Sequence, residues 1–133
     1  MNCIFCKIVS GTVPSLAVYE DDATMVLMDI AGDVDGHMVA IPKKHTESIL
    51  DCDTETLAQL MRTVKTVSEH CVKHCGYDGV NLLNASGSAA GQSVGHFHIH
   101  IIPRKHGDGI DTWPKLDGAQ NKIEDVFQTL KIK

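Results

Sequence analysis

The stretch His96-Phe97-His98-Ile99-His100-Ile101-Ile102 alternates histidine with an apolar residue until Pro103 ends the pattern. A period of two belongs to a β-strand, whose successive side chains point to opposite faces. All three imidazoles then stand on one face, about 6.5–7 Å from one to the next. Phe97, Ile99 and Ile101 bury the other face. A helix would scatter the histidines around its circumference, and the run is short and β-branched. Three titratable rings in a row on a rigid strand point to a use; the alternative is the polar outer face of an ordinary strand.

Upstream of this strand, Ala85 to Ser93 is a small, polar, glycine-containing loop with exposed backbone N–H groups, which suits an anion or a plain hairpin connection. Gly79 to Asn84 reads as the strand before it. Further back, Leu57, Leu60, Met61, Val64, Val67, Cys71 and Val72 recur at helical spacing. Asp53 or Thr54 serves as N-cap, and Gly76 ends this longest element. Cys71 with Cys75, and His70 with His74, fall at i and i+4 on it; they read as core cysteines and solvated histidines. His37 to Ile41 is a strand closed by Pro42-Lys43-Lys44, and Leu16 to Glu20 with Thr24 to Ile30 form a hairpin around Asp21-Asp22-Ala23. Asp29, where an apolar run meets a loop, reads as a turn former unless a ligand hydroxyl is near.

At the start, Cys3 to Val9 reads as a short helix stopped by Gly11, with Ile4, Phe5, Ile8 and Val9 as its apolar face. Cys3 and Cys6 keep the two-residue gap of metal-binding and redox cysteine pairs. Ile123, Val126, Phe127 and Leu130 mark a last amphipathic helix. The order αββ-β-α-β-β-α with antiparallel connections gives an α+β fold, a sheet of about five strands with one long helix and short terminal helices. The 133 residues are expected to form one domain.

A net charge of -5 argues against a nucleic-acid polymer or anionic membrane as main partner, though not against a single nucleotide. No run approaches a membrane span and no hydrophobic leader follows Met1, so a cytoplasmic location is expected. Five cysteines, an odd number, favour metal binding or burial over a disulfide framework.

Gly91-Gln92-Ser93-Val94-Gly95 followed by the histidine run resembles the signature of the histidine-triad nucleotide hydrolases and transferases. Cys3-Ile4-Phe5-Cys6-Lys7-Ile8, Asp29-Ile30, Gly36-His37 and Ile41-Pro42-Lys43-Lys44-His45 fit the same family in order. The chain is most similar to the Hint branch of small homodimeric nucleoside phosphoramidases, in its bacterial, zinc-containing form. The resemblance implies that His98 is the nucleophile, attacking an α-phosphorus to give a nucleotidyl-histidine that water hydrolyses. A neutral nucleophilic imidazole needs a fixed acceptor for its other nitrogen, most simply a backbone carbonyl. His100 would donate to a phosphate oxygen, and Ser93 would bond the phosphate or leaving group. The backbone N–H groups of Gln92, Ser93 and Val94 would add donors.

By the same resemblance, Asp29 would accept from ribose hydroxyls, and Phe5, Ile8 and Ile30 would sandwich a base while also serving the core. Asn84 would lie near the phosphate. The implied ligands are a purine nucleoside monophosphate or its phosphoramidate. Cys3, Cys6, His45 and His96 match the positions that hold one structural zinc per chain in bacterial members; no catalytic metal is required. The alternatives are a dinucleoside polyphosphate hydrolase and a nucleotide-binding regulatory module with weak catalysis. Beyond Pro103 the chain departs from the family's patterns, and Lys105, His106 and Trp113 receive no assignment.

Overall fold

The computed structural model describes residues 2–132. Helix α1 (Ile4–Val9) is followed by strands β1 (Ala17–Glu20), β2 (Thr24–Met28) and β3 (Met38–Pro42). Then come α2 (Thr54–His74), β4 (Gly79–Leu83), β5 (Ile99–Arg104) and α3 (Ile123–Leu130), with one short 3-10 turn at Ser88–Ala90 that the sequence pattern did not disclose. The five strands form one antiparallel sheet in the order β1-β2-β3-β5-β4. The expected α+β fold is the observed one.

The sheet is covered on both faces, by helices of very different size. On one, Leu60, Val64, Val67 and Cys71 of α2 pack on Val26, Met38, Ala40, Phe97, Ile99 and Ile101. On the other, Phe5, Ile8 and Val9 of α1 pack on Met25, Leu27, Val39 and Ile41. Alternation therefore sends Phe97, Ile99 and Ile101 toward α2 and their histidine neighbours toward α1, as the period of two requires. Asp53 caps α2 by accepting from the Thr56 N–H, and Gly76, at φ +81°, follows its end.

Several expectations need correction. The histidine strand does not begin at His96; the ladder starts at Ile99. Continuing the β3–β5 register (Ala40 opposite Ile99) would set Pro42 against Phe97, and proline has no N–H to give. The Phe97 N–H instead donates to the Thr46 carbonyl at 2.7 Å. Nor does Pro103 end the strand. It pairs with Val80 and sits where β3 has run out, so its missing N–H costs no ladder bond. Ile4 on α1, and Met61 and Val72 on α2, are exposed. Cys75 is exposed rather than in the core, whereas Cys71 is buried. The α3 pattern is amphipathic as read, yet Ile123, Phe127 and Leu130 stay exposed. No helix among the described residues is long and apolar enough to cross a membrane.

Candidate active site

β5 and the extended residues before it present His96, His98 and His100 to the α1 side. Phe5 stands edge-on to two of them, 5.7 Å from the His96 ring and 5.2 Å from that of His98. His98 is 8% exposed. Its Nδ1 lies 2.7 Å from the backbone oxygen of His96. A carbonyl only accepts, so Nδ1 carries a proton, and in the neutral ring the lone pair is on Nε2. The peptide that fixes the His98 ring is itself fixed, because its Phe97 N–H donates to the Thr46 carbonyl. The Asn84 side-chain amide holds the carbonyl of His98 itself at 2.9 Å while accepting from Ser86.

The His100 ring lies 5.0 Å from that of His98, and its Nδ1 is 2.8 Å from Nε2 of His37. The Nδ1 of His37 faces the Asp33 carboxylate at 2.9 and 3.2 Å, and its Nε2 is 3.5 Å from Asp29. Burial pushes the pKa of His100 down, helped by the neighbouring His98 and His37, while Asp29 and Asp33 act in the opposite sense. The hydrogen bond from His37 holds the Asp33 carboxyl below the usual range, with the Val34 N–H adding to it. Neither Asp33 nor the contact of His37 was legible beforehand. A signal for His37 existed: it is two residues from Val39, which pairs with His100, so period two sets it on the triad's face.

Asp29 does act as a turn former, accepting the Ala31 N–H at 2.8 Å through one oxygen. Its other oxygen is the one nearest His37. Ile8 is half-buried on the sheet, whereas Ile30, expected to serve the core as well, is 96% exposed. The Gln92 side chain is spent on the loop: it donates to the Glu47 and Val94 carbonyls and accepts the Gly87 N–H. The Gln92 backbone N–H is spent too, on the Gly87 carbonyl. Ser93 and Val94 line a cleft of about 530 Å³ that also includes Cys3, Lys7, His45 and Glu47. Ser93 is exposed there.

Beside the triad, the Sγ atoms of Cys3 and Cys6 and one ring nitrogen each of His45 and His96 lie within 4.8 Å of one another. The separations are 3.2 Å for Cys6–His45, 3.2 Å for His45–His96, 3.4 Å for Cys3–His96 and 3.6 Å for Cys6–His96. Zinc bonds of about 2.0 Å to nitrogen and 2.3 Å to sulfur put tetrahedral ligand atoms about 3.3–3.8 Å apart, so the four fit such an ion. The Nε2 of His96 donates to the Pro42 carbonyl at 2.8 Å, which leaves Nδ1 bare and aimed into the cluster. Cys3 further accepts the Cys6 N–H. Burial lowers the pKa of His96, and burial together with the Cys3 thiol raises that of Cys6.

An α+β sheet carrying a histidine pair with oriented nitrogens, beside a thiol–imidazole cluster, defines a class that comparison with known proteins identifies. The HIT domain family model matches residues 10–107, and the chain belongs to that family. It is 41% identical over 107 residues to the adenylylsulfatase HINT3 of Arabidopsis thaliana, covering 80% of this chain and 54% of that protein. It is 33% identical to the adenosine 5'-monophosphoramidase hnt1 of Schizosaccharomyces pombe, covering 100% of this chain and 98% of that protein. Among solved structures, a zinc-bound histidine triad family protein from Mycobacterium smegmatis superposes with a TM-score of 0.79 at 35% identity, over 88% of this chain and 85% of that one.

Proposed function

We propose that the protein is a Hint-type nucleotide hydrolase that cleaves purine nucleoside 5'-phosphoramidates, or similar nucleotidyl adducts, through a nucleotidyl-histidine at His98. The observation that carries this reading is the bond from His98 Nδ1 to the His96 carbonyl, which frees Nε2 as a neutral nucleophile. Nε2 attacks the α-phosphorus, the bond to the leaving amine breaks, and the amine departs with a proton supplied through His100. Water then attacks the same phosphorus, releases the nucleoside monophosphate and returns a proton to His100. The Ser93 side chain and the N–H groups of Ser93 and Val94 serve the phosphate oxygens, the Gln92 N–H being spent on Gly87. Asp29 holds the ribose, and Phe5, Ile8 and the exposed Ile30 flank the base. The names of the Arabidopsis and fission yeast relatives, acting on adenylyl sulfate and adenosine phosphoramidate, support AMP conjugates as the substrate class.

We also infer that Cys3, Cys6, His45 and His96 hold one structural zinc. When bound, the ion would supply a closed tetrahedral tie between α1 and the residues leading into β5, with no part in the bond cleavage. The reading includes a homodimer.

The test is hydrolysis of adenosine 5'-phosphoramidate against diadenosine polyphosphates by the wild-type protein and His98→Ala. The phosphoramidate is expected to be the faster substrate. The variant is expected to fold, to bind AMP, and to lose at least ~10³-fold in turnover. Wild-type-like turnover in His98→Ala overturns the mechanism, and preference for the polyphosphates overturns the substrate.

A further inference from the structure

As a donor, His100 needs a proton on the side that faces phosphorus and something that keeps it there. The polar chain behind it supplies an answer. Asp33 lies 2.9 Å from His37 Nδ1, and His37 Nε2 lies 2.8 Å from His100 Nδ1. The His37–His100 separation is that of a hydrogen bond, shorter than the spacing of two ligands about one ion. His37 is buried, while the Asp33 side chain is 56% exposed at the far end of the chain.

A carboxylate accepts only, so His37 Nδ1 must carry hydrogen. When both imidazoles are neutral, His37 Nε2 is therefore bare and must accept from His100 Nδ1. His100 Nε2 is then bare as well, and it has no proton to give. When the pair holds one additional proton, that proton lies between His37 Nε2 and His100 Nδ1, and His100 Nε2 carries hydrogen toward the site. This is so whichever ring formally holds the charge. Donation by His100 thus depends on one shared proton, and a carboxylate at the end of the chain favours it.

We propose that Asp33 is a positioning residue for the hydrolytic reaction: through His37 it fixes the tautomer and retains the shared proton that makes His100 a donor. The proposal rests on the role given to His100 above. The titratable and charged groups facing His100 are His98 on its own segment and His37, Asp29 and Asp33 from the β2–β3 side; β4 sets Leu83 opposite it. Of these, the two aspartates favour the charged ring. The competing role for Asp33 is a turn former, since it also accepts the Val34 N–H at 2.8 Å.

Asp33→Asn separates the two, because the amide keeps an acceptor for the turn but loses the charge. The active form is the protonated one, so lowering the proton affinity of the pair makes activity fall off at lower pH. The alkaline limb of the kcat/KM profile for adenosine phosphoramidate is expected to move down by about half to one pH unit. In a His37→Asn background the same Asp33→Asn change is expected to move nothing further, because the link is already cut. Nitrogen-15 NMR of the free protein reads the coupling with no substrate present. His37 is expected to be protonated at Nδ1, and the His100 titration to shift downward in Asp33→Asn. An unmoved His100 titration overturns the proposal even if the protein hydrolyses the phosphoramidate. A shifted titration in a protein that hydrolyses nothing supports the coupling and instead overturns the proposed reaction.

Discussion

One backbone oxygen, that of His96, decides which nitrogen of His98 is free, so the backbone path of residues 96–98 is part of the chemistry. The same dependence of side chains on backbone occurs at Gly36, one residue before His37. Its φ of +83° lies in the left-handed region, and a Cβ there would come within 3.0 Å of the Tyr77 hydroxyl and 3.2 Å of Pro103 Cγ. Gly32 shares the strain, at φ +68°, but faces open space. Gly36→Ala is therefore expected to cost about 2 kcal/mol or more in urea unfolding, combining backbone strain with the clash. Gly32→Ala should cost less. Equal midpoints for the two would show that the contact with Tyr77 and Pro103 is not a constraint. Because Gly36 also aims His37, the alanine variant should lose activity at temperatures where it is still folded.

Helix α1 is a case where the element cannot stand by itself. It has six residues and none of them is fully buried. Isolated helices much shorter than about 12 residues are marginal in water. Cys3 at its N-cap and Cys6 in its first turn belong to the thiol–imidazole cluster, and Phe5, which touches His98, lies between them. Zinc in that cluster is thus expected to hold the helix, and with it one wall of the site. Purified protein should contain about one zinc per chain. Chelation should speed amide exchange in α1 by about tenfold or more, while the amides of α2 and of β2 and β3 stay protected. Protein without metal, with α1 equally protected before and after chelator, would defeat this. The cysteine pair was visible in the sequence because its spacing is local, and so were the strand and helix periods. The start of β5 was not, since it is set by Pro42, which the register brings opposite Phe97 from 55 positions away. The Asp33–His37–His100 chain was hidden for the same reason: it exists only once β3 and β5 are paired, across a sequence gap of 63 residues.

At the scale of the molecule, the apolar surface not used by the fold has a pattern. Met61 and Val72 of α2 and Leu82 of β4 are 40–44% exposed, and β4 is an edge strand with no strand on its outer side among the described residues. Trp113, Leu116, Ile123, Phe127 and Leu130 leave the C-terminal segment with an apolar side facing solvent. Edge strands that stay unpaired are ordinarily shortened, charged or covered, and Gly79-Val80-Asn81-Leu82-Leu83 carries no charge to blunt it. A second copy offers the same edge and the same helix, so one two-fold axis can cover both at once. The protein is accordingly expected to sediment at twice the 14.5 kDa of the chain at low micromolar concentration. Replacing Leu82, whose side chain the fold itself leaves exposed, with lysine should put a charge into each copy's edge at the contact. Leu82→Lys is expected to run at the mass of one chain with an unchanged far-ultraviolet circular dichroism spectrum. A wild-type protein that is a single chain at 50-fold higher concentration would exclude the dimer. A dimer indifferent to Leu82→Lys would move the contact away from β4, to the apolar side of α3.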